Sequence, residues 1–228
     1  MVKLHLLNKL AIAAVVCTGI AYSQYSNISM PVAYAAQGLR IPPPAAAIKE
    51  PAGLQTAIFA GGCFWGIEGV FDHVIGVTRA ESGYIGGSRA NATYDLVSNG
   101  TTGHAEAVRV TYDPVKIGYN GLLHIFFAVS HDPTQLNRQG PDTGTQYRTA
   151  IFPITSGQSK SARAYIAQLS AKNPWGAKIV TRIESGTFFP AETYHQNFMA
   201  KNPNHPYIRA HDAPKVANLR RIFPGSYR

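Results

Sequence analysis

The period of the hydrophobic positions changes repeatedly along this chain and predicts strands interleaved with helices. Apolar residues recur with helical spacing just after residue 63, over 122–127 and over 162–169, the last stretch following a capping box formed by Thr155 and Gln158. Polar residues over 133–146 predict a loop, and the Pro-, Asn- and aromatic-rich remainder after 183 is expected to be irregular. Short β-type runs predict five strands, over 56–60, 77–84, 104–112, 147–152 and 179–183. This alternation indicates an α/β (α+β) fold with two layers, in one domain over 55–228.

The first residues have the pattern of an export signal. Lys3, His5 and Lys9 precede an apolar stretch over 10–21 that is too short to span a bilayer comfortably. Two small-residue cleavage patterns follow, at 21–23 and 33–35, and both stay open. We therefore expect an export signal over 1–35 and a periplasmic or secreted protein, with a membrane anchor only if the leader is uncleaved. Residues 36–54 are predicted to be a Pro/Ala linker outside the core.

Composition and charge fit a packed globular protein. Hydrophobic residues make up 45% of the chain and aromatic residues 11%. The formal charge is +9, and removing Lys3 and Lys9 with the signal lowers it by two, to +7. The basic residues are scattered, with no run of five, which favours a solvated basic surface over a nucleic-acid site. Neither a zinc-type His or Cys spacing nor a phosphate-binding Gly-rich motif occurs, so no metal and no nucleotide is expected.

The chain has two cysteines, Cys17 and Cys63, and Cys17 falls inside the predicted export signal. A cleaved chain would therefore carry Cys63 alone, either buried and inert or free and reactive. Cys63 follows two glycines and lies at a strand-to-helix junction, where the helix dipole and unpaired backbone N–H groups are expected to favour the thiolate. Phe64 and Trp65, directly after it, supply an apolar wall.

Glu106 is a second candidate for chemistry. Period-2 alternation places it on the same strand face as Val108, Val110 and Tyr112, which is the face expected to be buried. Burial raises the pKa of a carboxyl, and a carboxyl that stays neutral near pH 7 can donate a proton. An exposed Glu at a frayed strand end is the alternative. Asp142, Tyr147 and Tyr94 are weak signals when taken singly.

Four motifs, in order, resemble those of the A-type peptide methionine sulfoxide reductase family. They cover about residues 55–204 and are Gly62-Cys63-Phe64-Trp65-Gly66, Gly103-His104-Ala105-Glu106-Ala107-Val108, the segment from His131-Asp132-Pro133 to Gly144-Thr145-Gln146-Tyr147-Arg148, and Phe189-Pro190-Ala191-Glu192 with Tyr194-His195-Gln196. The resemblance implies a ferredoxin-like core with long coil segments. It also implies reduction of methionine S-sulfoxide, free or in proteins, without a metal or organic cofactor.

The resemblance assigns a role to each candidate residue. Cys63 would attack the sulfoxide sulfur and pass through a sulfenic acid, and Glu106 would protonate the sulfoxide oxygen. Tyr94 and Tyr147 would hydrogen-bond that oxygen, and Asp142 would orient the polar side of the site. Phe64 and Trp65 would hold the substrate methyl group.

The C-terminal tail departs from many members of the family. Residues 213–228 contain none of the resolving cysteines that capture the sulfenic acid as a disulfide. An external thiol such as thioredoxin, a glutaredoxin or glutathione would then have to reduce Cys63. We expect a monomer that repairs oxidised exported proteins. A one-cysteine thiol peroxidase, an exported binding module for oxidised methionine, and a basic surface for anionic membranes or nucleic acid remain as alternatives.

Overall fold

The computed structural model describes residues 38–46 and 48–228, so the predicted export signal and Cys17 lie outside the described residues. The strands are β1 (Gln55–Gly61), β2 (Val77–Ile85), β3 (Ala105–Tyr112), β4 (Arg138–Gln139), β5 (Asp142–Thr143), β6 (Thr149–Ile151), β7 (Arg182–Ile183) and β8 (Phe188–Pro190). The α-helices are α1 (Phe64–Asp72), α2 (Tyr94–Val97), α3 (Tyr119–Ile125), α4 (Ser156–Lys172), α5 (Phe198–Lys201) and α6 (Ala213–Ile222). Two π-helical turns (Phe126–Ser130 and Ile208–Asp212) and three 3-10 turns (Arg89–Asn91, Thr145–Tyr147 and Pro224–Ser226) complete the described elements.

Six strands form one mixed sheet in the order β7-β6-β1-β3-β2-β8. All neighbours in it are antiparallel except β6 and β7. The central order β6-β1-β3-β2, with α1 between β1 and β2 and α3 between β3 and β6, is the ferredoxin-like arrangement that the family resemblance implies. Strands β4 and β5 form a separate two-stranded hairpin within the predicted loop.

The helices bury their apolar stripes on one face of this sheet. Phe59 of β1 stacks on Phe71 of α1 and on Phe126, with ring centroids 5.3 and 4.9 Å apart. A second, smaller cluster of mostly short side chains covers the opposite face. The capping box at α4 is also present, since the Gln158 backbone N–H donates to Thr155 Oγ1 at 3.1 Å. The two-layer α/β prediction is therefore confirmed.

The prediction that residues 36–54 stay outside the core is wrong for the part that the structure describes. Ile41 is buried within the main cluster, and Tyr165 donates a hydrogen bond to the Pro42 carbonyl at 2.8 Å. The Glu50 carboxylate accepts the Tyr119 backbone N–H at 2.7 Å. Prolines leave a segment without backbone donors but do not prevent its side chains from packing, so composition alone misjudged this stretch.

The prediction of an irregular tail is also wrong. Residues 213–222 form α6, which packs against α1 and buries Leu219. Apolar Val216, Leu219, Ile222 and Phe223 recur with helical spacing, and the pattern would have revealed this helix. Within the residues that the structure describes, no helix is both long enough and apolar enough to cross a membrane.

Candidate active site

Cys63 occupies the N-cap position of α1, at the junction that the sequence predicts. Two glycines bring the chain from β1 to this point through a narrow passage. A Cβ on Gly62 would lie 2.5 Å from the Gln139 side chain, and Gly62 has a φ of +96° that other residues rarely adopt. A Cβ on Gly61 would lie 2.9 Å from His131. The turn therefore requires both glycines, and it leaves the Cys63 side chain only 8% exposed.

Glu106 lies beside this turn, in the middle of the fold. Its side chain is 2% exposed, and its Oε2 accepts the Phe64 backbone N–H at 3.0 Å. Burial raises the pKa of Glu106 to about 8, and nearby Asp142 and Asp212 act in the same direction, against the opposing Phe64 hydrogen bond. The predicted buried face of β3 is confirmed, and Glu106 is protonated at neutral pH.

The expectation that Cys63 rests as a thiolate is wrong for the unliganded site. Burial raises the pKa of the Cys63 thiol well above its ordinary value. The negative charges of Glu106, once it ionises above about pH 8, and of Asp212 raise it further. The Trp65 backbone N–H and the Lys215 ammonium oppose this rise but do not outweigh it. A helix N-terminus carries only a partial positive charge, whereas removing a thiolate from water is strongly unfavourable.

Aromatic side chains form the apolar wall of the site. Phe64 is fully buried, and Trp65 is half-buried and stacks on Phe198 with centroids 3.8 Å apart. The Trp65 indole N–H donates to His195 Nδ1 at 3.1 Å, and Tyr207 meets the indole edge-on. Burial lowers the pKa of His195, which keeps the imidazole neutral and able to accept this bond. The orientation of Trp65 is therefore fixed from several sides.

Three further candidates approach the same point from two other segments, Tyr94 from α2 and both Asp142 and Tyr147 from the 142–147 segment. Tyr94 begins α2, where its backbone N–H donates to Glu192 Oε1 at 2.9 Å. Tyr147 ends a 3-10 turn rather than lying in a strand as predicted. Burial raises the pKa of both phenols, and the negative charges that Glu106 and Cys63 carry when ionised raise it further. Asp142 accepts a hydrogen bond from the Tyr207 hydroxyl.

The six other residues singled out from the sequence therefore gather around Cys63, from the start of α1, α2, β3 and the 142–147 segment. Sequence reasoning missed Tyr207, Asp212 and Lys215, which come from the tail that was expected to be irregular. It quoted His195 only as part of a motif. In the described part of the chain, no three His, Cys, Asp or Glu side chains are grouped so that they could hold a metal ion.

Comparison with known sequences gives a consistent result. The profile of the family described as peptide methionine sulfoxide reductase matches residues 55–226. A peptide methionine sulfoxide reductase MsrA 2 of Mesorhizobium japonicum is 56% identical over 180 residues, covering 78% of this chain and 92% of that protein. A peptide methionine sulfoxide reductase MsrA of Deinococcus radiodurans is 54% identical over 170 residues, covering 74% and 82%.

Solved structures of similar sequence share the fold. Reduced Mxr1 of Saccharomyces cerevisiae is 35% identical, with a TM-score of 0.61 over 70% of this chain and 92% of that one. Methionine sulfoxide reductase A of Corynebacterium diphtheriae is 33% identical, with a TM-score of 0.57 over 73% and 85%. The residues matched by the family profile, 55–226, include the sheet, the helices and the motifs that contribute to the site.

Proposed function

Since this chain belongs to the peptide methionine sulfoxide reductase family, we propose that it reduces methionine S-sulfoxide, free or in proteins, through nucleophilic attack by Cys63. One observation carries the mechanism. The buried Glu106 carboxyl, whose pKa is raised by burial to about 8, accepts the first backbone N–H of α1 directly beside the N-cap cysteine. This arrangement supplies a nucleophile and a proton donor in a site that is largely closed to water.

In the first step, the Cys63 sulfur attacks the sulfoxide sulfur while Glu106 gives its proton to the sulfoxide oxygen. The substrate S–O bond breaks, the oxygen is transferred to Cys63 as a sulfenic acid, and methionine leaves with two more electrons than it brought. The proton released by the Cys63 thiol restores Glu106. Protonated Glu106 also removes a negative charge that would oppose formation of the thiolate.

The remaining residues bind and orient the substrate. The Tyr94 and Tyr147 hydroxyls donate to the sulfoxide oxygen and stabilise the charge that develops there. Phe64 and Trp65 contact the methyl group, and the His195 and Phe198 contacts keep the indole in place for it. Asp142 orients the polar side through Tyr207. No metal or organic cofactor takes part in these steps.

An external thiol completes the cycle. Two thiols reduce the sulfenic acid to the Cys63 thiol and yield one disulfide and one water, and a thioredoxin, a glutaredoxin or glutathione can supply them. The tail supports this proposal, because α6 packs directly on α1 and brings no second thiol there. Cys63 is the only cysteine in the described residues and is a free thiol.

The test uses peptides that carry either the S or the R epimer of methionine sulfoxide, with dithiothreitol as reductant. We expect the parent chain and the matched Cys17→Ser control to reduce only the S epimer, and Cys63→Ser to reduce neither. Peroxide consumed faster than the S epimer would favour a thiol peroxidase instead. Folded protein that leaves both epimers unchanged would contradict the proposal.

We further propose that residues 1–35 direct export and that the chain repairs oxidised proteins in the periplasm or after secretion. The basic n-region and the apolar stretch after it support this. Fractionation of expressing bacteria should recover a shortened chain outside the cytoplasm. Full-length protein found only in the cytoplasm would contradict this part of the proposal.

A further inference from the structure

A buried ion pair lies next to the catalytic turn, and the mechanism above does not use it. Lys215 Nζ donates to Asp212 Oδ1 at 3.1 Å, and the two side chains are 6% and 0% exposed. Lysine is rarely buried to this degree, because desolvating an ammonium is unfavourable unless its surroundings compensate. Asp212 Oδ2 is also buried and has no hydrogen-bond partner among the described protein atoms. The pair therefore needs an explanation beyond stability.

The position of the pair is set by Gly66, the third residue of α1. A Cβ at Gly66 would lie 2.1 Å from Asp212 Oδ1 and 2.7 Å from Lys215 Nζ. Both charged groups thus fill the space that the missing side chain leaves on the first helical turn. Cys63 caps this same turn, with the Trp65 backbone N–H near its sulfur. The Lys215 ammonium therefore packs against the same first turn of α1 that Cys63 precedes.

Charged and titratable groups approach Cys63 and the ion pair from several elements. They are Glu106 of β3, Asp212 and Lys215 of the tail, His131 after α3, Asp142 of the hairpin, the phenols of Tyr94, Tyr147 and Tyr207, His195 against Phe64, and His211 beside Asp212. Burial lowers the pKa of His131 to about 4, so this imidazole is neutral. Lys215 is the basic side chain whose positive charge lowers the pKa of Cys63, and its charge therefore favours the thiolate.

We propose that Lys215, anchored by Asp212 in the space left by Gly66, is a positioning residue that stabilises negative charge on the Cys63 sulfur. The inference rests on the proposed role of Cys63 as the nucleophile. The ammonium would act when the thiol loses its proton to attack. It would act again when a first external thiol has replaced the sulfenic acid oxygen, lost as water, to form a mixed disulfide, and a second thiol attacks that disulfide and releases Cys63 as a thiolate. In this chain, the segment that could have carried a resolving cysteine brings a cation to the nucleophile.

The test measures the reactivity of Cys63 without any sulfoxide. In a Cys17→Ser background, the rate of alkylation by iodoacetamide and the thiolate absorbance near 240 nm are followed against pH. Lys215→Met should raise the pH of the thiol transition by about one unit, so that alkylation at a fixed pH below it is roughly tenfold slower. Lys215→Arg should restore most of the reactivity. Asp212→Asn should have the opposite sign and accelerate alkylation.

The surface pair Lys116 and Asp113 has the same i, i+3 spacing and provides a matched control. Lys116→Met should leave the thiol transition unchanged. If Lys215→Met fails to fold, as judged by circular dichroism, Lys215→Gln removes the charge while keeping a group that can donate to Asp212, and the same shift is expected. An unchanged transition in a folded Lys215→Met or Lys215→Gln variant would overturn the proposal. This outcome differs from failure of the proposed function, which would appear as loss of S-epimer reduction in the parent chain.

Discussion

Replacing Glu106 by Gln removes a proton donor while preserving the local geometry. The Gln side-chain oxygen can still accept the Phe64 backbone N–H that now bonds Glu106 Oε2 at 3.0 Å. The amide is neutral, like the protonated carboxyl, so burial is no obstacle to it. Any loss of turnover in this variant therefore reports the missing proton rather than a collapsed turn.

The size of the effect follows from general acid catalysis, which contributes about 10²- to 10⁴-fold, or roughly 3 to 5 kcal/mol of barrier. We expect kcat for S-sulfoxide reduction to fall within this range in Glu106→Gln, with KM changed far less. With a pKa of about 8, Glu106 is about nine-tenths protonated at pH 7 and about one-tenth protonated at pH 9. The Glu106-dependent rate of the parent should therefore drop roughly tenfold between these pH values, and the variant should lack this component.

Glu106→Gln should lose activity but gain stability at high pH, and this second effect provides an internal check on the pKa of Glu106. The raised pKa means that the folded state holds the Glu106 proton more tightly than the unfolded state does. The parent is thus most stable below the ordinary carboxyl pKa and loses stability as pH rises through about 8. Glu106→Gln avoids this loss, so it should be more stable than the parent at pH 9 and less active at pH 7.

The assays are steady-state reduction of the S epimer from pH 6 to 9.5 and urea unfolding at pH 5 and pH 9. Glu106→Asp serves as a control that keeps an acid but shortens its reach. A kcat within about threefold of the parent in Glu106→Gln, against the expected 10²-fold or more, would remove Glu106 from the acid role. The same pH-dependent decline in parent and variant would show that another group titrates there.

Three further predictions concern packing and titration. Gly66→Ala would place a methyl group 2.1 Å from Asp212 Oδ1 and should lower the free energy of unfolding by about 1–3 kcal/mol; an unchanged urea midpoint would refute this. Burial raises the pKa of Glu68 to about 7, so the parent loses stability as pH rises through about 7 and Glu68→Gln should be more stable than the parent at pH 9 but not at pH 4. The same difference in unfolding free energy between variant and parent at both pH values would count against this prediction. Ile41→Ala should cost about 2–5 kcal/mol, whereas the exposed control Ile154→Ala should cost little; equal values would mean that residues before 55 do not pack on the domain.

Local pattern was sufficient for much of this protein. Strand and helix periodicity predicted a two-layer α/β fold, and alternation along β3 placed Glu106 on the buried face. The ferredoxin-like order of the strands was implied by the family resemblance rather than by the periodicity. The Gly-Gly pair and the apolar spacing after it located Cys63 at the junction of β1 and α1. Such features depend on residues that are close in sequence, so the sequence reveals them directly. The motifs, taken in order, also indicated the family that the comparisons confirm.

The ionisation of the site was decided by tertiary structure. Helix position alone suggested a thiolate at Cys63, but the surrounding fold removes water and places Glu106 and Asp212 near the sulfur. Desolvation and charge act through space, and residues separated by 149 positions, from Cys63 to Asp212, contribute to one pKa. The pKa of Cys63 therefore cannot be inferred from the residues near it in the sequence.

The same reason explains the two segments that the sequence misjudged. Prolines before residue 55 suggested a linker, yet Ile41 belongs to the core cluster, and side chains of α3 and α4 hydrogen-bond the carbonyls of Ile41 and Pro42. The tail contained a helical pattern, but only its packing on α1 shows that Lys215 meets the space left by Gly66. The sequence by itself determined the central strands and the helices that pack on them, and it indicated Cys63 as the candidate nucleophile. The meeting of distant segments decided which charges surround that nucleophile, because burial and electrostatic interaction depend on distance in space rather than along the chain.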